Sequence, residues 1–458
     1  MYVYILRRLL LMIPTLLGIT VIVFAVMATA PGGISAQNLI AGQNLQPAAK
    51  KALEDYYNRL YGLDQPAPVQ YFRWLNNISP IGFTFDNDNH IEDFSLTKGS
   101  DLGTSFYYGR PVLELIKERV PITLLLDLIS LPIIYIIAIT IGVRAATERG
   151  KRFDVTSGGI MLGLWSVPPM LAGVLMIAFF ASDQYWRWFP AAGISERQAA
   201  DMPFMPHWSA VSDVALLFML ACAGTVLFVL LSRKGSRPLR TGIMGILGAA
   251  LGILMASGVE GFSLLYLLLG LGLAGLFALI ARADYEPLRT AIMALLGLCA
   301  GVGVAFALAQ GHFVRGFLLD RLWHLVLPVL CLSYSGFAFL SKLTRTAVLE
   351  NLLADYVRTA RAKGVKESDI LWRHVFRNSL LPLITVSATL LPGLLAGSVI
   401  VESIFSIEGM GKLAVEAVSG RDRELLLAVT LISGVLTLIG YLIADICYAI
   451  ADPRVSYE

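Results

Sequence analysis

Charge is scarce in this chain. Asp, Glu, Lys and Arg make up 15% of the 458 residues, against 56% hydrophobic. A water-soluble protein of this length cannot hide that much apolar surface, and the mean hydropathy of +0.69 points to a polytopic membrane protein. Cysteine and histidine are also few, with four and five copies. Cys222, Cys299, Cys331 and Cys447 all fall inside apolar runs without metal-ligand spacing, so neither a disulfide framework nor a metal site is expected. No phosphate-binding loop is present. Gly409-Met-Gly-Lys412 comes nearest, but Ser406 and Leu413 stand where the motif requires Gly and Ser or Thr. With no Ser/His/Asp set and no carboxylate pair, an enzyme reading has nothing to stand on, and nothing points to nucleic acid.

What the chain does have is long apolar runs. Arg7 and Arg8 precede a run from Leu9 to about Ala30. Ala28-Thr29-Ala30 mimics a signal-peptidase site, but the run is long enough to span, and an uncleaved first helix with its N-terminus inside is expected. Residues 31–120 form the largest soluble part, helical near Ala48–Asn77, turning at Gly62, Pro66 and Pro68, and loop-like over Phe83–Lys98. Tyr107, Tyr108 and Arg110 suit either a substrate entrance or interfacial anchoring. The second span, about Ile122–Val143, carries Asp127 near its outer end, either a functional group or a satisfied polar contact. The basic turn Arg144–Asp154 leads to a third span, about Gly158–Ala181. There Trp165, Pro168 and Pro169 mark either a pathway-lining kink or a packing kink.

Residues 207–310 contain an internal repeat. Arg237-Pro-Leu-Arg-Thr-Gly-Ile-Met-Gly-Ile-Leu-Gly returns as Glu286-Pro-Leu-Arg-Thr-Ala-Ile-Met-Ala-Leu-Leu-Gly, 49 residues on. A duplicated helical hairpin predicts four spans, about 211–231, 241–257, 262–281 and 288–309. An even number leaves the topology downstream unchanged.

The longest strongly basic interruption of the apolar sequence is Asp355–Pro382, DYVRTARAKGVKESDILWRHVFRNSLLP. It lies between apolar runs of about His324–Leu340 and Leu383–Ile400. Tyr356, Thr359, Ala360 and Lys363 recur at helical spacing, giving a small-and-aromatic face opposite a basic one. Gly364 supplies a helix stop. A second helix is expected from Glu367 to the Leu381-Pro382 step. Two angled helices with a small-residue face suit docking into a groove on another protein.

This stretch resembles the cytoplasmic coupling loop of ABC-importer permeases, in the dipeptide/oligopeptide/nickel branch. The generic loop has Glu-Ala-Ala, three residues and Gly; Arg358, Thr359, Ala360 and Gly364 hold those places, so the Glu is absent. The opening YILRRLLLMIPTLLGITVIVFAVMATAPGG and Asp101–Pro121 resemble the same branch. So do the outer segment Glu402–Glu424, read as a short turn before the last span (about Leu425–Ile446), Asp445 within that span, and Asp452-Pro453-Arg454. The resemblance covers about 1–206 and 311–458, leaving 207–310 outside it.

It implies an all-α polytopic membrane protein: a six-helix permease core, an inserted four-helix duplicated hairpin, about ten transmembrane helices and one extracytoplasmic soluble segment. The expected parts are 1–30 (first helix), 31–120 (extracytoplasmic), 121–206 (core helices two and three), 207–310 (the insert) and 311–458 (core helices four to six, with the coupling loop at 342–382). It implies a multi-pass protein of the prokaryotic cytoplasmic membrane with both termini cytoplasmic. Lys and Arg gather in the segments read as inside, and Asp and Glu in those read as outside, which agrees. Contact with separate ATPase subunits is implied for Asp355, Tyr356, Arg358, Thr359, Ala360, Lys363, Gly364, His374, Arg377, Asn378 and Pro382. Trp165, Pro168, Pro169, Pro392, Gly393 and Gly397 are candidate pathway residues. The other implied partners are a second homologous permease and an extracytoplasmic substrate-binding protein. ATP-Mg belongs on the ATPase partner and no cofactor on this chain. Cargo is expected to be peptides or related small solutes; nickel, opines, sugars and antibiotics stay open. The rival is an ion-coupled carrier acting alone, which normally places carboxylates or broken helices at the midplane of repeated halves. A membrane scaffold would leave the ordered loop unexplained.

Overall fold

The computed structural model describes residues 2–29, 46–61, 65–85, 91–256, 263–282 and 286–451. Gly62 and Asp452–Arg454, singled out above, lie outside them. The described chain is all-α apart from two short β pairs. Six helices are long and apolar enough to cross a membrane, or seven if a bent pair counts as one span, among the described residues. The chain divides into two compact units, Met1–Gly173 with Pro328–Glu458, and Val174–Leu327.

In the first unit, α1 (Tyr2–Thr29) is followed by the short helices α2 (Pro47–Tyr61) and α3 (Ala67–Ile78). Phe24 of α1, Tyr71 and Trp74 of α3 and Leu427 close a small core, so α3 lies against the carboxyl end of α1. Residues expected as loop form an antiparallel hairpin instead, β1 (Gly82–Phe85) with β2 (Ile91–Ser95). Phe83 opposes Phe94 with ring centroids 5.3 Å apart, a cross-strand aromatic pair that the acidic composition conceals.

The long helix α4 (Val112–Thr147) contains the second span, and α5 (Arg152–Ser166) and α6 (Pro169–Phe180) replace the single kinked third span. They meet at 96° across Val167-Pro168. Proline has no amide hydrogen to donate, so the adjacent pair interrupts the helix; at the break Tyr334 Oη donates to the Val167 carbonyl at 2.6 Å.

The second unit holds α7 (Val211–Lys234), α8 (Arg237–Ala256), α9 (Ser263–Arg282) and α10 (Glu286–Leu308). The chain enters and leaves this bundle through β3 (His207–Trp208) paired antiparallel with β4 (Phe313–Val314). The helices expected as two hairpins pack crosswise: α7 on α10, and α8 on α9. Glycines decide it. A Cβ on Gly297 would meet Gly224 and Phe228, and one on Gly301 would meet Leu220 and Ala221; a Cβ on Gly248 would meet Leu273 and one on Gly252 Leu269. These contacts superpose at the repeat offset, so each Gly-x-x-x-Gly stripe lets one repeat's second helix approach the other's first. Phe228, Met244 and Met293 are buried together, with Phe277 packed against them, again equivalent positions of the two repeats.

In the chain's last third, α11 (Gly316–Leu352) is followed by α12 (Asp355–Ala362), α13 (Glu367–Asp369), a π-helical turn (Ile370–Val375), α14 (Phe376–Ile404), α15 (Met410–Ser419) and α16 (Arg423–Ala451). Two expectations change here. Helix continues unbroken through Leu381 and Pro382, downstream of the π turn. The segment before the last span is not merely a turn but contains α15.

Candidate functional site

The basic stretch is built on an apolar anchor. Val357, Ile370 and Val375 are fully buried with Val143 and Ala146 of α4 and Val348 of α11, and Ala360, Val365, Leu371 and Phe376 pack around them. Gly364 ends α12 with φ +76°, the left-handed region that glycine enters without a Cβ penalty. Its N–H donates to Arg361 O at 2.9 Å and that of Val365 to Ala360 O at 3.2 Å, the paired closure of a Schellman stop. Across that turn Arg361 makes two hydrogen bonds to Glu367, at 2.8 and 3.2 Å, and this carboxylate holds the guanidinium above its ordinary range. Tyr356 Oη donates to Asn351 Oδ1 (2.8 Å) and Asn351 Nδ2 to Ser379 Oγ (3.1 Å), which pins the loop to the end of α11.

With the anchor turned inward, the other face is displayed. Asp355, Tyr356, Arg358, Thr359, Lys363, Gly364, His374, Arg377, Asn378 and Pro382 are all exposed, and Ala360 is half-buried. Trp372, which the sequence reading passed over, is 51% exposed and sits edge-on to Phe376 at 5.2 Å. The face is cationic. Asp355 and Asp369 lie 3.4 and 3.6 Å from Arg358 and Arg373, and Glu367 is engaged by Arg361. No carboxylate in the stretch is paired with Lys363, Lys366 or Arg377.

The candidate pathway residues fall in two places. Trp165 and Pro168 are exposed at the α5–α6 bend, with Pro169 half-buried. Pro392, Gly393 and Gly397 lie within α14, and their side chains are outside the described set.

A second polar cluster lies at the carboxyl end of α14, where the sequence shows a failed phosphate loop and a resemblance to a short turn. Glu402 is fully buried. It accepts hydrogen bonds from Thr123 Oγ1 at 2.7 Å and Lys412 N–H at 3.0 Å, with the Gly411 N–H and Ser398 hydroxyl as further donors. Thr123 Oγ1 in turn accepts the Met410 N–H at 2.9 Å. An internal carboxylate thus occupies the anion position at the start of α15, ahead of its free N–H groups. Asp127, one turn beyond Thr123, is also buried, and its Oδ1 has no hydrogen-bond partner among the described residues, contrary to a satisfied contact.

The aromatic-basic segment before α4 is tied down as well. Tyr108 Oη donates to Glu416 of α15; burial, then this carboxylate, pushes the phenol up to about 12. Arg110 pairs with Glu118 at 2.6 Å. At the other end of the spans, Asp445 meets Arg8 at 3.2 Å, joining α16 to α1.

Long apolar helices carrying an ordered, exposed basic loop define a membrane protein with a cationic surface outside its apolar spans. Comparison with known proteins agrees. Residues 248–457 match the binding-protein-dependent transport system inner membrane component, and residues 1–127 match the N-terminal membrane component of such systems. The chain is 30% identical over 462 residues to the oligopeptide transport system permease protein AppB of Bacillus subtilis, covering 100% of both chains. It is 26% identical to the inner membrane ABC transporter permease protein YejB of Escherichia coli O157:H7, over 99% of each. It is 25% identical to the peptidoglycan transport system permease protein YejB of Agrobacterium fabrum, over 99% of this chain and 98% of that one. The chain belongs to the binding-protein-dependent transport system inner membrane component family: it is the permease subunit of an ABC importer, a transporter and not an enzyme. The matches also take in residues 207–310, which the sequence reading set outside the resemblance.

Proposed function

We propose that this permease imports peptides or related small solutes, driven by ATP hydrolysis on separate subunits that press on Asp355–Pro382. The observation that carries the coupling role is the loop's two-sidedness: an apolar anchor fixes it to α4 and α11, and all the expected docking residues but the half-buried Ala360 face outward. Beyond Gly364, helix runs without a break from Glu367 to Ile404, roughly 55 Å at 1.5 Å per residue, long enough to carry a push across the bilayer. The cargo assignment rests on the names of the relatives, which specify oligopeptide and peptidoglycan transport.

In this reading α1, α4, α5 with α6, α11, α14 and α16 are the six core spans, and α7–α10 add four. Both termini are cytoplasmic and residues 31–120 extracytoplasmic. ATP-Mg is held by the ATPase subunits, a second homologous permease completes the pathway, and an extracytoplasmic binding protein selects the cargo.

Purification of the tagged chain in mild detergent, with mass spectrometry of its companions, tests this. A Walker-motif ATPase and a second permease are expected. Gly364→Glu and Ala360→Arg are expected to abolish peptide uptake and lose the ATPase while membrane insertion stays normal. Full uptake in both variants would remove the coupling role; a chain that purifies alone and moves solute under an ion gradient would make it a secondary carrier.

A further inference from the structure

The first compact unit has a cleft that the transport reading does not use. It is a cavity of about 280 Å³ between α4, α5 and α11, at the same end of these helices as the basic turn 144–154. Ile141, Val155 and Met161 supply apolar wall. Gly158 leaves it open, since a Cβ there would meet nothing within 4 Å. On α5, Val155 and Ile160 are 67% and 60% exposed, a surface suited to hydrocarbon and not to water.

The same lining also carries charge. Lys342 lines the cleft, is exposed, and forms no ion pair among the described residues. Asp154, the cleft's acid, is already committed: it takes Arg345 through two hydrogen bonds (2.5 and 2.8 Å) and the Gly150 N–H at 2.9 Å. Arg149, Lys151 and Arg152 are exposed in the turn that leads into α5, and no side chain caps the first N–H groups of that helix. The site therefore presents surplus positive charge next to an open apolar slot.

We infer that this cleft binds an anionic phospholipid, with its phosphate at Lys342 and an acyl chain along Val155, Gly158 and Met161. A free phosphate would satisfy the charge and leave the slot empty; a neutral lipid would fill the slot and leave Lys342 without a counterion. Basic pockets between spans at the cytoplasmic face select anionic headgroups on this physical ground. The turn's charge places it at that face.

The test is native mass spectrometry of the transporter, with whatever subunits it retains, released from nanodiscs of phosphatidylglycerol and phosphatidylethanolamine in a one-to-three ratio. Retention of phosphatidylglycerol above its share is expected. Lys342→Glu, which reverses an exposed charge, should reduce that retention roughly tenfold or more. Gly158→Leu, whose Cβ meets nothing within 4 Å, should reduce it comparably, and both variants should keep the wild-type melting temperature. Unchanged retention in both variants, or equal retention of the two lipids, overturns the assignment. Displacement by inorganic phosphate alone would make this a free-anion site. Adducts on the isolated chain that vanish in the assembled transporter would mean that the second permease covers the cleft. Either result rejects the lipid.

Discussion

Glu402 shows how one side chain organises an end of the molecule. Its carboxylate stands where a phosphate would sit in a nucleotide loop, and the same physics applies, since N–H groups at a helix start favour negative charge. The glycines make room: a Cβ on Gly411 would lie 2.8 Å from the Val399 nitrogen and 2.9 Å from Glu402 Oε2. Glu402→Ala would strand the Gly411 and Lys412 N–H groups and the Thr123 hydroxyl in a buried site, a destabilisation of about 3 kcal/mol or more. Glu402→Gln keeps the shape and should cost less. Thermal melting in detergent measures both, and equal, small shifts would show that Glu402 does not hold α15. The glycines and the acid are plain in the sequence. Their meeting is not, because Thr123 lies 279 positions from Glu402 and no local pattern announces it.

Among elements, the extents of α7–α10 were legible in the sequence and their pairing was not. The boundaries of all four helices follow from apolar length and basic turns. The repeat was visible as well, but a repeat states which helices are equivalent, not which touch. Close approach decided that, through Gly224, Gly248, Gly252, Gly297 and Gly301. The comparison of equivalent contacts makes a prediction. Leu273 holds the place of Gly224 in the other pair, so Gly224→Leu has a precedent within the fold. Gly297→Leu has none, because its counterpart is Gly248. Overpacking of this kind costs about 1–3 kcal/mol. Gly297→Leu should lie at the upper end and Gly224→Leu at the lower, read as melting temperatures; the reverse order would contradict the crosswise packing. In the basic loop the helix, its stop at Gly364 and the outward set were all legible. The π turn was not, since nothing in Ile370–Val375 distinguishes i→i+5 from i→i+4 hydrogen bonding.

For the whole molecule, the expected topology is a matter of counting crossings. Reporter fusions after Gly150, Ser236 and Gly364 should report the cytoplasm, and those after Ser195, Glu260, Gly311 and Arg421 the opposite side. A swap at Glu260 alone would mean that α8 and α9 do not span. The sequence by itself determined that this is an α-helical membrane protein, which family it resembles, where its basic surface lies and in which direction that surface is expected to face. These follow from hydrocarbon solubility, charge and local helix periodicity, quantities that a short window of residues contains. Only the tertiary structure decided the crosswise pairing of the repeats, the 96° bend between α5 and α6, the unbroken helix from Glu367 to Ile404, the burial of Glu402 and the charged cleft beside α5. Each of these depends on groups far apart in the chain arriving at one place, where excluded volume and the need to satisfy buried polar atoms select among arrangements that local pattern leaves equal.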